Sequence, residues 1–430
     1  MSLALASLLL VAASGMPGLI LRKRGGEVAA GLMSLGALLG LGAALRVLAG
    51  GAPFRLGLPA SPLGAPGCLV LDPVAAWFLL PILVLAACGA VFGVGYWEGR
   101  PGSRFLRLAY GGLVACLVLL TLAGHPLVFL LAWEGMAVLA CLLVLTEDRE
   151  AEVRRAGWIF LAATHVGTLG LFAAFALLPR GLADFAALPA GFAASGRGTA
   201  LFLLCLLAFG VKAGVMPFHV WLPPAHAAAP SHVSALMSGV LIKMGILGLV
   251  RVLLWTPDPP LWWGGLLMGL GVLSGILGVA FALGQHDLKR LLAYHSIENI
   301  GIILLGLGLG TLGKTLGHPA LEALGFGGAL LHVLNHALFK GLLFLAAGST
   351  IHATGTRSLE ALGGLARRMP WTSGAFLAGA WAICGLPPLN GFVSEWLIYL
   401  GSFRALAVSR WPWSVALLAS LTLIGALALA

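Results

Sequence analysis

Runs of about 20 apolar residues, separated by short polar or Gly/Pro-rich connections, fill nearly the whole chain. A run of that length crosses the roughly 30 Å hydrocarbon layer of a bilayer as a helix. The pattern predicts thirteen helices, near residues 2–21, 28–50, 73–97, 105–123, 125–146, 153–179, 199–219, 232–255, 261–284, 291–312, 322–350, 373–403 and 412–430. Alternation with period two is absent, so no β-barrel is predicted. The first run has no cationic segment ahead of it and is followed by Arg22, Lys23 and Arg24, so it reads as a retained helix rather than a cleaved signal. The last run reaches the end of the sequence without a polar tail, and a longer protein is expected to continue beyond it.

Composition agrees with the pattern. Of 430 residues, 60% are hydrophobic and 9% charged, which excludes a soluble globular domain of ordinary composition. The expected class is an all-α polytopic membrane protein. Its formal charge of +10 does not imply a nucleic-acid partner, because the basic residues are scattered over short loops rather than gathered on one face. Topology accounts for them better. With the amino terminus outside, Arg22, Lys23, Arg24, Arg100, Arg104, Arg107, Arg149, Arg154, Arg155, Lys289, Arg290, Arg357, Arg367 and Arg368 fall inside. These 14 face 8 outside: Arg46, Arg55, Arg180, Arg197, Arg251, Lys314, Arg404 and Arg410. That imbalance favours the assigned orientation. The six cysteines (Cys68, Cys88, Cys116, Cys141, Cys205, Cys384) include no C-x-x-C pair and are read as small apolar packing residues rather than zinc or iron–sulfur ligands.

Three lysines remain, Lys212, Lys243 and Lys340, each inside a predicted helix. A lone lysine at mid-membrane costs roughly 2.5–3.5 kcal/mol on insertion scales, so three require a reason. Glu134, Glu395 and, nearer a helix start, Glu298 accompany them. Each could pair with an opposite charge and hold helices together. Spread over at least five helices, the set fits a relay better than a clamp. Two predicted helices also carry breaks, at "GVKAGVMPFHVWLPP" (210–224) and "ICGLPPLNG" (383–391), where Gly and Pro remove helix hydrogen bonds. Paired breaks of this kind mark transporters built from inverted repeats. His219, His226 and His232 surround the first break, and His332 and His336 precede the second; histidine titrates near neutral pH and passes protons through either ring nitrogen. His165, in "ATHVGT", is not assigned a function on its own.

The stretches "AFGVKAGVMPFHVWLPPAHAAAPSHVSALMSGVLIKMGILGLVR", "HDLKRLLAYHSIENIGIILLG", "LLHVLNHALFKGLLFLAAGSTIHATGTRSL" and "GLPPLNGFVSEWL" resemble the antiporter-like membrane subunits shared by respiratory complex I, multisubunit sodium/proton antiporters and membrane-bound hydrogenases. The resemblance runs from about residue 70 onward. "IENIGII" is similar to the formate hydrogenlyase and hydrogenase branch. The resemblance implies about 13–14 transmembrane helices with two inverted five-helix repeats, each holding one broken helix. Residues 1–104 would be N-terminal transmembrane helices, 105–255 the first repeat and 256–430 the second, truncated at its carboxyl end.

The resemblance also implies that Glu134 and Lys212 form a switching pair and that Lys243 connects to the central relay of His332, His336 and Lys340. Glu395 would take the terminal position; His219, His226, His232 and Glu298 are accessory candidates. No flavin, haem, iron–sulfur cluster or other cofactor, and no metal, is implied for this subunit. The expected function is proton translocation, or sodium translocation, in a multisubunit oxidoreductase of a bacterial or archaeal plasma membrane. Its partners would be other membrane subunits, a peripheral redox arm and the bilayer, and the chain itself is not expected to transfer electrons. A subunit of a multisubunit Na+/H+ antiporter remains an alternative. So does a histidine-based metal or solute transporter, although "HVLNHALFK" (332–340) lacks the H-E-x-x-H carboxylate. Four-residue steps advance about 40° around a helix and about 6 Å along it, which makes His332, His336 and Lys340 a slanting line rather than a converging ligand set.

Overall fold

The computed structural model describes residues 3–21, 24–60, 66–98, 102–179, 185, 187–409 and 412–429. Of the loop cations above, Arg22, Lys23, Arg100, Arg180 and Arg410 lie outside these residues. Helices α1 (Leu3–Ala13), α2 (Pro17–Ile20) and α3 (Gly25–Leu48) lead into an antiparallel hairpin of β1 (Phe54–Ala60) and β2 (Pro66–Leu71). There follow α4 (Pro73–Tyr96), α5 (Ser103–Leu122), α6 (Pro126–Val144), α7 (Ala151–Ala176), α8 (Gly196–Ala213), α9 (Leu222–Ala228) and α10 (Ser231–Leu236). A π-helical turn, Met237–Leu241, joins α10 to α11 (Lys243–Trp255). The chain continues through α12 (Leu261–Leu283), α13 (Leu288–Thr315), α14 (Pro319–Thr354), the short α15 (Leu365–Arg368), α16 (Pro370–Ile383), α17 (Asn390–Ser409) and α18 (Pro412–Leu429).

Among the described residues, eleven helical spans are long and apolar enough to cross a membrane, against the thirteen expected. The difference lies at the carboxyl end. The predicted helix 373–403 is divided into α16 and α17, and the apolar part of the last helix is the shorter stretch Leu417–Ala428. The hairpin is a second departure from the pattern, which shows no strands. Its β1 does alternate, with Phe54, Leu56 and Leu58 half-buried and Arg55 and Gly57 exposed, but over too few residues to stand out beside the long apolar runs. The hairpin is pinned from outside: Leu69 bridges to Ala123, and Cys68 Sγ donates to Gly124 O at 3.3 Å. Just past β2, Asp72 caps α4 by accepting from Ala75 N at 2.8 Å. Both of its carboxylate oxygens also receive the Arg251 guanidinium of α11, one of them at 2.9 Å.

Both Gly/Pro-rich segments are true interruptions. After α8, Gly214 has φ 75° and Met216–Pro217 is cis; after α16, Gly385 has φ 62° and Pro387–Pro388 is cis. A left-handed backbone turn needs a residue without Cβ, which is why glycine stands at each.

Burial separates central from peripheral helices. The most apolar windows of 231–255 and 288–315 are completely buried, whereas those of the other spans are 33–67% buried. Between α12 and α13 the approach depends on glycine. A Cβ added to Gly301 would lie 2.6 Å from Gly271 O, and one on Gly278 would lie 2.6 Å from Glu298 N. Small residues let membrane helices approach backbone to backbone, where van der Waals packing replaces a hydrophobic driving force. Gly301→Leu should therefore lower the thermal midpoint of the detergent-solubilised protein, at an overpacking cost of about 1–3 kcal/mol or more. Gly269→Leu, at an exposed position where an added Cβ meets nothing within 4 Å, should leave the midpoint unchanged in the same tryptophan-fluorescence melt.

Candidate functional site

The buried charges are set by the interruptions in the helices. Lys212 lies in the last turn of α8, two residues before Gly214, and is 1% exposed. Among the described residues its Nζ has no hydrogen-bond partner; it stands 4.9 Å from the centroid of the Trp133 ring and 5.8 Å from that of Phe160. Glu134, next to Trp133 on α6, acts electrostatically on Lys212 without bonding to it. One Glu134 oxygen instead lies 3.6 Å from His165 Nε2 on α7. The two parts of the first broken helix are linked by Trp221, whose indole donates to Val211 O at 2.7 Å.

Lys243 occupies the centre. Its Nζ donates to Ser238 O at 2.5 Å across the π-helical turn, and Ser238 Oγ meets Ser296 Oγ of α13 at 2.8 Å. Wide turns of this type recur where a helix serves a function. The helix carrying Lys243 packs directly on the end of α8: a Cβ at Gly245 would lie 3.0 Å from Ala213 N. Lys243 is near enough to His332, His336 and Lys340 for their charges to interact.

The second half holds a file of polar groups, hydrogen-bonded at its His332 end. His332 Nδ1 meets Ser394 Oγ at 2.9 Å, and its Nε2 meets Asn299 Oδ1 at 3.1 Å. Asn335 Nδ2 donates to Asn390 O at 2.7 Å and to Ser394 Oγ at 3.0 Å, fastening the start of α17 to α14. The His336 ring lies parallel to that of His332, centroids 6.3 Å apart, and neither of its nitrogens has a partner among the described residues. Lys340 Nζ donates to Leu292 O at 2.6 Å. Glu298, 1% exposed, pairs with His295 Nδ1 at 2.5 Å and acts electrostatically on both Lys340 and Glu395. The Glu395 carboxylate packs against the second break, where a Cβ on Gly385 would come 3.1 Å from its carboxyl carbon.

The structure thus gathers Lys243, His332, His336, Lys340 and Glu298 into one buried file with the half-buried Glu395 at its end, and sets Lys212 and Glu134 as a separate group across the α8–α11 contact. The accessory histidines divide. His226 is fully buried, its ring stacked on Phe344 of α14 at 5.2 Å, and belongs with the file. His219 lies near the Tyr294 ring and lines a cavity of about 310 Å³ with Glu152, Arg155 and Arg290. His232 faces away, among Tyr96 and Trp97 at the end of α4 and Tyr110 of α5.

Several contributors are absent from the sequence-based set. His295 and Asn335 stand three residues from the assigned Glu298 and His332, one helical turn away and a usable signal, whereas Asn299 and Ser394 merely adjoin Glu298 and Glu395. His165 has no such signal, since its partner is on another helix. Lys289, counted among the loop cations, is corrected by the structure: it lies in the first turn of α13 and is 4% exposed.

Chemically, the file sets two groups that both donate and accept, His332 and His336, between lysines that only donate and carboxylates that only accept when ionised. An imidazole holding an acceptor at one nitrogen and a donor at the other passes a proton without net displacement. Among the described residues, no group of three or more His, Cys, Asp or Glu side chains has the geometry to hold a metal ion.

Comparison with known proteins places this geometry in a family. Residues 123–425 match the family described as NADH:quinone oxidoreductase/Mrp antiporter, TM. The chain is 42% identical over 343 residues to hydrogenase-4 component B of Escherichia coli K12, covering 78% of this chain and 51% of that protein. It is 40% identical over 328 residues to formate hydrogenlyase subunit 3 of the same organism, covering 75% and 53%. To an NAD(P)H-quinone oxidoreductase chain 4 of Thermosynechococcus vestitus it is 35% identical over 310 residues, covering 71% and 56%. The chain therefore spans about half the length of these relatives. Among solved structures, a chain of the Mrp complex from Dietzia sp. DQ12-45-1b superposes with a TM-score of 0.86 at 28% identity, over 100% of this chain and 46% of that one. The membrane-bound sulfane sulfur reductase, an archaeal respiratory membrane complex, shares the fold with a TM-score of 0.83 at 24% identity, over 99% of this chain and 85% of that one. This integral membrane protein belongs to the NADH:quinone oxidoreductase/Mrp antiporter transmembrane family.

Proposed function

We propose that this chain translocates protons as a membrane subunit of a multisubunit oxidoreductase of the hydrogenase or NADH-quinone oxidoreductase type. The observation that carries the reading is the buried file from Lys243 through His332 and His336 to Glu298, with the half-buried Glu395 at its end. Energy arrives from partner subunits as a conformational or electrostatic change, alters the interaction of Glu134 with Lys212, and passes through Lys243 into the file. In this reading residues 105–255 and 256–430 are the two inverted repeats, with one interruption each, and the chain lies in a bacterial or archaeal plasma membrane with its amino terminus outside. Glutamate at 395 makes charge at that end change in the opposite sense from a lysine: proton release leaves an anion rather than a neutral amine. His332 holds Asn299 and Ser394 at its two nitrogens, so both are engaged in hydrogen bonds and neither faces metal cargo.

A second reading, a subunit of an Na+/H+ antiporter, is favoured by the superposition of the whole chain on part of the Dietzia Mrp complex. Affinity purification of the native assembly separates the two. Copurifying nickel–iron hydrogenase or quinone-reducing subunits support the oxidoreductase reading, and a complex containing only antiporter-type membrane subunits supports the other.

In sealed inverted vesicles carrying the native assembly, Lys212→Met and Glu134→Gln should each reduce ion translocation to the level of membranes lacking the chain, with the assembly intact by native gel. Translocation at the parental rate in both variants would overturn the proposal.

A further inference from the structure

The second segment of the first broken helix, α9, is too short to stand alone. Its last carbonyl groups have no partner within the helix, and its carboxyl end carries partial negative charge. Two cations from the second half of the chain meet that end. Lys289 Nζ, from the first turn of α13, donates to Ala229 O and reaches Ala227 O at 3.5 Å. Arg357 Nη1, from the segment after α14, donates to the same Ala227 O at 3.0 Å.

Arg357 is also bound to the element that carries Lys289. Arg357 Nε pairs with Asp287 Oδ2 at 2.6 Å, while Asp287 Oδ1 accepts from Lys289 N at 2.9 Å and Arg290 N at 3.0 Å, capping α13. Backbone bonds close the ring, from Leu288 N to Arg357 O and from Leu359 N to His286 O, each at 2.9 Å. On the outer side, Ala227, Ala229, Lys289 and Arg357 line a cavity of about 410 Å³ with Glu147 and Glu150. On the inner side, His226 precedes Ala227 and stacks on Phe344, whose ring lies 6.0 Å from Lys340 Nζ. At its other end α9 is tied to the helix of Lys212 through Trp221 and Val211 O.

We propose that Lys289 and Arg357 are positioning residues that clamp α9 to α13 and α14, so that movement at the Lys212 break is transmitted to the His336 and Lys340 file through His226. The proposal rests on the translocation reading above for its function, but its structural half does not. Lys289 is buried on two carbonyl oxygens, and Arg357, which stays exposed, reaches one of the same two from the rim. Two cations converging on one carbonyl, each from an element of the other half of the chain, make α9 a mechanical joint between halves.

The test uses the native assembly with Lys289→Met, Arg357→Met, the double variant, and Arg357→Lys as the conservative form. Amide hydrogen exchange should quicken in residues 222–229 by roughly tenfold or more in each Met variant, the effect of losing a charge-assisted hydrogen bond on local opening. Exchange in 332–340 should stay as in the parent, and Arg357→Lys should restore most of the protection. Ion translocation in vesicles should fall with the same rank order. Unchanged exchange in 222–229 for both single Met variants and the double variant would overturn the clamp, whatever translocation does. Loosened α9 with translocation at the parental rate would overturn the positioning claim. Lys212→Met in the same vesicles reports separately on the translocation reading, since its failure to block transport would sink that reading while leaving the exchange result intact.

Discussion

The constraint on which this structure turns is the cost of an ammonium group in a hydrocarbon layer. Three lysines, Lys212, Lys243 and Lys340, are buried to 1% exposure or less, and each is at the bilayer's expense unless protein supplies polar or polarisable contacts. Lys243 and Lys340 find a backbone carbonyl each, and Lys212 stands over aromatic faces. Carbonyls in an intact helix are engaged with their own amides. The π-helical turn beneath Lys243 and the break beside Lys212 lie where that engagement changes. Complete burial of the apolar windows of 231–255 and 288–315, and the glycine-mediated approach of α12 to α13, keep lipid away from the same places.

The two interruptions are held by the same device in different chemistry. Trp221 spans the first by donating to Val211 O, and Asn335 holds the resumption after the second by donating to Asn390 O. A broken membrane helix exposes amides and carbonyls that hydrocarbon cannot satisfy, and side chains from within the bundle satisfy them here. Because each fastening is a side chain rather than a ladder of backbone bonds, either can be altered without unfolding the helices around it.

Much of this was legible in the sequence, for a physical reason. Apolar runs of spanning length, intramembrane charge and Gly/Pro interruptions are local properties, and they located α3 to α8, α10 to α14, Lys212, Lys243, His332, His336, Lys340, Glu395 and both breaks, but not the short α9 between 219 and 232. What depended on partners brought together by folding was not legible. His165 meets Glu134 from another helix. Lys289 looked like a loop cation because its neighbours in sequence are polar, and only the approach of α9 buries it. The alternation of the hairpin at 54–71 is confined to Phe54–Leu58, too short a stretch to stand out among apolar runs, and the hairpin is held by the connection between α5 and α6. The predicted helix 373–403 was counted as one span although its Gly/Pro centre separates two shorter helices.

Lys243 is where the account is most exposed. It lies on the helix packed against the Lys212 break, it interacts electrostatically with His332, His336 and Lys340, and no other buried cation among the described residues occupies that junction. The most direct measurement is ion translocation by the native assembly carrying Lys243→Met, in sealed vesicles, with assembly checked by native gel. The account predicts that translocation falls to background while the assembly remains whole. Translocation at the parental rate would mean that the buried file is a structural feature and not the path.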